Sequence, residues 1–144
     1  MLISVYFGFW LNGLARTKKD KKEAGQIFNL LHDEIKSNFN NNLNKTFSSE
    51  YLSVLGEEVL KVKMGILAEY HKAPLGYFVK TYRQFININK ALSDYNKLDI
   101  DEGTIPTSVP GVSRVSPKTE IKNEIIRLRK LCTMDILNYL NNHS

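Results

Sequence analysis

Cysteine is nearly absent from this chain of 144 residues, because Cys132 is the only one. A single cysteine excludes an internal disulfide framework and every zinc site that needs two or more thiolates. Four prolines, eight glycines and 24% charged residues exclude a collagen-like, a mucin-like or a wholly disordered chain. The 42% of hydrophobic residues is enough for the core of one globular domain, and the length argues against two.

The body of the chain has almost no charge excess. The formal charge is +5, but residues 1–22 carry five basic side chains and one acid, so the rest of the chain is close to neutral. A protein that binds a nucleic-acid duplex needs a basic face spread over its fold. The charge distribution therefore makes nucleic acid an unlikely partner.

The first fifteen residues contain no charged side chain, and a basic cluster follows them directly. An apolar segment flanked by basic residues is typical of a membrane anchor, with the basic side attracted to anionic headgroups and retained in the cytoplasm. We expect a single-pass anchor in the cell membrane over residues 1–16, with the body cytoplasmic. Its anchor residues are Tyr6, Phe7, Phe9, Trp10 and Leu11, and its basic cluster is Arg16, Lys18, Lys19, Lys21 and Lys22.

The length of this segment leaves alternatives open. Fifteen helical residues reach about 22 Å at 1.5 Å per residue, which is short of a hydrocarbon core of roughly 30 Å. A buried helix or strand of the protein's own fold is one alternative, and a cleaved signal peptide is another.

The rest of the chain shows helical periodicity and no strand alternation. Thr17 and Asp20 have the spacing of a capping box, so a helix begins there or continues from the anchor. These patterns predict an all-α fold, an antiparallel bundle of three to four long helices in one domain over residues 17–144. The predicted helices cover residues 17–45, 48–72, 74–98 and 117–142, with a loop at 99–116.

Two local details carry specific expectations. In the second predicted helix, Ser48 or Ser49 is the expected N-cap, and the apolar face is formed by Leu52, Leu55, Val59, Val62 and Ile66. In the third, Asn89 occupies a position on the apolar seam. A buried amide there would favour one helix register, and an amide rotated into solvent is the simpler alternative.

No residue constellation typical of catalysis or of a cofactor is present. Cys132 falls on the apolar seam of the fourth helix, where a buried structural thiol is expected rather than a nucleophile. His32 and His71 lack a glutamate three residues before them, as a di-iron bundle would require. We therefore predict no enzyme activity, no catalytic residue, no cofactor and no metal.

Aromatic and basic side chains on the second and third helices form a candidate partner surface. Tyrosine and arginine are enriched where proteins bind each other, and core packing is the alternative role of the tyrosines. The candidates are Tyr77, Arg83 and Tyr95.

Two stretches carry a resemblance to a group of proteins. The apolar segment and basic cluster are followed by Leu31-His-Asp-Glu34-Ile35-Lys-Ser-Asn38, and later by Tyr82-Arg-Gln-Phe-Ile-Asn-Ile-Asn89. This arrangement, over about residues 3–95, resembles small uncharacterised bacterial membrane-anchored helical proteins. The resemblance implies a membrane location and brings no known activity or functional residue.

Together these observations predict a membrane-tethered, non-enzymatic helical adaptor or accessory subunit of a larger membrane assembly. Its expected partners are anionic membrane lipid and a protein partner or a second copy of the chain. One alternative is an oligomerising, pore-forming membrane effector. A second is a soluble helical nucleic-acid-binding protein that uses the basic cluster as an arm.

Overall fold

The computed structural model of the chain describes residues 2–101 and 116–143. Four α-helices lie in these ranges: α1 (Leu2–Asn38), α2 (Gly56–Tyr70), α3 (Lys72–Asp101) and α4 (Pro117–Asn142). A π-helical segment, Phe39–Leu43, continues α1 by five residues. The described residues contain no strand, which confirms the all-α class.

The chain divides into two compact units. The first is Met1–Asp33 with Leu55–Val79, and the second is Glu34–Val54 with Lys80–Ser144. The sequence predicts an anchor at residues 1–16 followed by one bundle, and that division stays a prediction. Each unit has its own buried apolar side chains.

The core of the first unit is formed by side chains from α1, α2 and the start of α3. Because α-helical side chains three, four and seven residues apart share a face, α1 buries one stripe. The buried residues of this unit are Ala24, Ile27, Leu31, Leu60, Leu67 and Phe78. Phe28 contacts Phe78 edge-on, with ring centroids 5.4 Å apart, and stacks on His71 at 4.9 Å.

The core of the second unit joins the last part of α1, the rest of α3 and α4. Its buried apolar residues are Ile35, Leu43, Leu52, Tyr82, Phe85, Ile88, Leu92, Ile125, Cys132 and Ile136. Gln84 of α3 donates to Asp135 of α4, and Lys118 of α4 lies over the ring of Tyr95 of α3. An early residue of α3 thus contacts a late residue of α4, and a late residue of α3 contacts an early residue of α4. These two helices therefore run antiparallel, as predicted.

Several predicted helix ends agree with the structure. Ser116 is the N-cap of α4, accepting a hydrogen bond from the Thr119 N–H at 3.2 Å, and Pro117 takes the first helical position. The single non-helical residue between α2 and α3 is His71, one residue before the predicted end of the second helix at 72. The helix over Thr17 is unbroken, and the Thr17 hydroxyl donates to the Gly13 carbonyl instead of capping.

The predicted second helix is wrong over its first eight residues. Residues 47–54 are not helical, and α2 begins at Gly56. Leu55 and Val62, expected on the apolar face, are 82% and 73% exposed, whereas Leu60 and Leu67 are buried. The apolar spacing favours a helix through these residues, but side chains of α1 and α3 bind their backbone in a non-helical conformation.

The predicted loop at 99–116 agrees only in part. α3 continues to Asp101, three residues beyond its predicted end. The loop residues 102–115 lie outside the described residues.

Candidate functional site

The first candidate site is the apolar end of α1, in the first unit. Seven apolar side chains in this stretch keep between 47% and 72% of their surface exposed. The rings of Phe7 and Trp10 lie 5.6 Å apart and contact each other. These side chains do not enter the core of their unit, so a buried helix is excluded for residues 5–14. The seven are Val5, Tyr6, Phe7, Phe9, Trp10, Leu11 and Leu14.

A membrane-spanning helix is not supported. Within residues 2–101 and 116–143, none of the helices combines the length and the apolar character that crossing a bilayer requires.

The five basic side chains of the cluster are all exposed and lie on α1, directly after the apolar end. Two of them, Lys19 and Lys22, line an open cleft of about 580 Å³ together with Lys63 of α2. Lys63 also forms an ion pair of 2.8 Å with Glu23. One continuous helix therefore presents exposed aromatic rings and, within its next two turns, a concentration of positive charge.

The predicted partner residues fall into the two units. Tyr77 is half-buried in the first unit, with its ring 5.7 Å from that of Phe78. In the second unit Arg83 is exposed, and Tyr95 packs edge-on against Phe47 at 5.4 Å. The structure thus gives both tyrosines packing contacts, and only the arginine is an exposed side chain.

A second feature is a pair of asparagines that bind the non-helical segment of residues 47–54. Asn89 was expected on the apolar seam of the third helix, whereas the role of Asn38 was not predicted. Asn38 of α1 accepts from the Ser53 N–H at 3.0 Å and donates to the Ser53 carbonyl at 2.8 Å. Asn89 of α3 does the same for Leu52, at 2.8 and 2.9 Å. Each side-chain amide thus satisfies both backbone groups of one residue, as a neighbouring strand would.

Other side chains of the second unit complete this polar network. The Glu34 carboxylate accepts from the Tyr82 hydroxyl at 2.8 Å and from the Ser53 hydroxyl at 3.0 Å. Asn42 donates to the Glu50 carbonyl at 3.2 Å. The signal in the sequence was the seam position of Asn89, because an amide among apolar side chains needs a polar partner.

Arg129 of α4 holds the end of the π-helical segment. This side chain is 2% exposed and donates to the side chain and carbonyl of Asn42 and, at 3.1 Å, to the carbonyl of Lys45. Carbonyl groups at a helix end lack partners within the helix and carry partial negative charge. Desolvation lowers the pKa of the guanidinium. Among the described residues, no carboxylate forms an ion pair with it.

Cys132 is buried and free in the second unit. Burial, with a smaller contribution from the Asp135 carboxylate, raises the pKa of its thiol to about 12. Because the thiolate is the nucleophile, this thiol is chemically unreactive at neutral pH. In the part of the chain that the structure describes, no three His, Cys, Asp or Glu side chains gather as a metal site.

Comparisons with protein-family models, with curated proteins and with solved structures give no significant match. The resemblance to bacterial membrane-anchored helical proteins stays a prediction.

Proposed function

We propose that this protein is a membrane-tethered, non-enzymatic helical adaptor or accessory subunit, held at an anionic membrane surface by the N-terminal end of α1. The observation that carries the proposal is the exposure of residues 5–14 immediately before the exposed basic cluster. Tryptophan and tyrosine prefer the headgroup level of a bilayer, and lysine and arginine pair with anionic lipid.

The length of this end favours interfacial contact over spanning. The uncharged part of α1, residues 2–15, measures about 21 Å, against a hydrocarbon core of roughly 30 Å. A helix of this kind lies in the interface with its apolar side chains about 5–10 Å into the headgroup and acyl boundary. Because the anionic leaflet faces the cytoplasm, we place the body of the protein on the cytoplasmic side.

The adaptor half of the proposal rests on exposed apolar side chains of the second unit. Leu131, Met134 and Leu137 of α4 are 45%, 52% and 41% exposed. Exposed apolar side chains grouped on one element are typical of surfaces that bind another protein. Arg83 remains the candidate arginine contact of a partner.

Vesicle flotation tests the tether. The full chain is expected to float with vesicles that contain about a third phosphatidylserine and to bind neutral phosphatidylcholine vesicles much less. Phe9→Glu with Trp10→Glu is expected to abolish flotation, because charge is costly at the interface. The matched control is Val62→Glu with Met64→Glu, which places the same charge at exposed apolar positions of α2.

The basic cluster is tested separately. Replacing Lys18, Lys19, Lys21 and Lys22 with glutamine removes four charges worth about 1 kcal/mol each at a membrane surface. The affinity for anionic vesicles is expected to fall by close to a thousandfold. The control replaces the exposed Lys36, Lys72, Lys90 and Lys97 with glutamine. Equal losses in the two variants would show that only net charge matters, and would contradict the proposal.

The same vesicles distinguish the two other functions. Release of an encapsulated dye by the full chain would favour an oligomerising, pore-forming effector. Salt-dependent binding to duplex or single-stranded nucleic acid, with no flotation, would favour a soluble nucleic-acid-binding protein. The tethered adaptor is expected to give flotation without leakage and without nucleic-acid binding.

A further inference from the structure

The buried guanidinium of Arg129 is incompletely satisfied. Its three hydrogen bonds use three of the five N–H groups that an arginine carries, and among residues 2–101 and 116–143 its Nε has no hydrogen-bond partner. All of its acceptors are neutral amide groups. A buried charge is ordinarily paired, because desolvation is expensive.

Arg129 also lines a cavity of about 270 Å³ within the second unit, together with Lys45 and Lys130. Three cationic side chains thus border one small space. None of the described residues that line it is an aspartate or a glutamate. Three further lining side chains are apolar: Leu43, Ile126 and Met134.

We propose that this cavity binds a phosphomonoester with a short apolar stem, its phosphate bound by the exposed Lys45 and Lys130 beside the buried positive charge of Arg129. This site is independent of the membrane contact of α1, and it rests on no part of that proposal. A phosphate monoester carries between about 1.5 and 2 negative charges at neutral pH, which suits three cations better than a carboxylate does. Lysine binds such an oxyanion as a point charge, and the buried guanidinium of Arg129 adds a fixed positive charge beside it.

The space of about 270 Å³ lies just below the range of about 300–1,000 Å³ that holds drug-sized molecules, and it opens to solvent beside Lys45, Lys130 and Met134. It is therefore large enough for a phosphate with a short chain. The apolar side chains Leu43 and Ile126 offer the stem a non-polar contact, which inorganic phosphate could not use. The same chemistry is presented by a free alkyl phosphate and by the headgroup of phosphatidic acid.

Calorimetric titration of the full chain with butyl phosphate tests the site. The test variant is Lys45→Ala with Lys130→Ala, because both lysines are exposed and Arg129 is retained to keep the fold. The charge-matched control is Lys90→Ala with Lys97→Ala, two exposed lysines of α3. The dissociation constant is expected to rise at least tenfold in the test variant and less than twofold in the control.

Further ligands test which chemical group is bound and whether that group belongs to a free ester or to a lipid. Inorganic phosphate and valerate are each expected to bind at least fivefold more weakly than butyl phosphate. A second experiment uses vesicles that contain phosphatidic acid. It measures how much vesicle binding the test variant loses compared with the control variant. Binding to butyl phosphate indicates a free ester, and binding to the vesicles alone indicates the lipid headgroup.

Three results would overturn the site. These are no saturable binding in either arm, an equal loss of affinity in the test and control variants, and equal affinity for valerate and butyl phosphate. Thermal unfolding of each variant, measured beside the titration, separates a lost site from a lost fold.

Discussion

The side-chain amide of Asn89 holds the backbone of Leu52 on both sides, accepting from its N–H at 2.8 Å and donating to its carbonyl at 2.9 Å. The two residues lie 37 positions apart in the chain. This pair of hydrogen bonds holds the backbone of Leu52 in a non-helical segment, and the side chain of Leu52 lies in the core of the second unit.

Asn89→Ala is expected to destabilise the protein by about 1–3 kcal/mol, because each hydrogen bond contributes about 0.5–1.5 kcal/mol and both backbone groups of Leu52 lose their partners. Urea unfolding measures the change, and hydrogen exchange of the Leu52 amide locates it. Asn87→Ala, an exposed asparagine on the same helix, is the control and should leave both unchanged. Full protection of the Leu52 amide in Asn89→Ala would refute the role assigned to this side chain.

Arg129→Met is expected to destabilise the protein by about 3 kcal/mol, since the carbonyls of Asn42 and Lys45 then lose a charged donor in a buried place. Circular dichroism during denaturation measures the difference. Arg127→Met is the matched control, because Arg127 makes only an exposed ion pair with Glu124 on its own helix. Its unfolding midpoint should not differ from that of the wild type. Equal midpoints for both variants would contradict the buried role of Arg129.

The raised pKa of Cys132 makes stability depend on pH in the alkaline range. In the unfolded chain the thiol ionises near its ordinary pKa of 9.0, whereas in the folded protein it stays protonated up to about 12. Above pH 9 the unfolded state therefore binds fewer protons than the folded state, so stability falls as pH rises.

The measurement is the difference in unfolding free energy between the wild type and Cys132→Ala, taken from pH 7 to pH 12. Below pH 9 the difference should be constant. Between pH 9 and 12 the wild type should lose stability relative to the variant by up to about 1.4 kcal/mol per pH unit. Native protein at pH 8 should also resist a thiol-specific reagent, and rapid labelling there would contradict the burial of the thiol.

Gly65→Ala is expected to stabilise the protein by about 0.5–1 kcal/mol. Gly65 lies inside α2 with nothing within 4 Å of the position that a β-carbon would take. Alanine there gains helix propensity without a clash. Thermal unfolding measures the gain, and Ala68→Gly, at an exposed position of the same helix, should give a loss of similar size. A destabilised Gly65→Ala protein would mean that the glycine is needed for close packing.

The helices of this protein were predictable because each carries its own apolar period. On α3 the residues Phe78, Tyr82, Phe85 and Leu92 recur at helical spacing and are all buried. The fourth helix was predicted at residues 117–142, as observed. Its first residue was predictable because Ser116 and Pro117 are local signals of a helix N-terminus.

The non-helical segment at residues 47–54 could not be predicted from its own apolar spacing. Leu52 and Leu55 continue the helical spacing of Val59 and Val62, so local pattern favoured one long helix. What decides otherwise is the pair of backbone contacts made by Asn38 and Asn89, from two other helices. No window of sequence around residue 52 contains either asparagine.

The sequence alone determined the all-α class, the helix seams and the clustering of basic charge after an apolar start, because periodicity and composition are properties of neighbouring residues. Only the tertiary structure decided that Asn89 and Asn38 bind the backbone of the non-helical segment at residues 47–54. It also decided that Arg129 lies buried beside a cavity lined by two lysines. These features join residues between 15 and 87 positions apart, and their energies depend on burial and on the partners that folding provides.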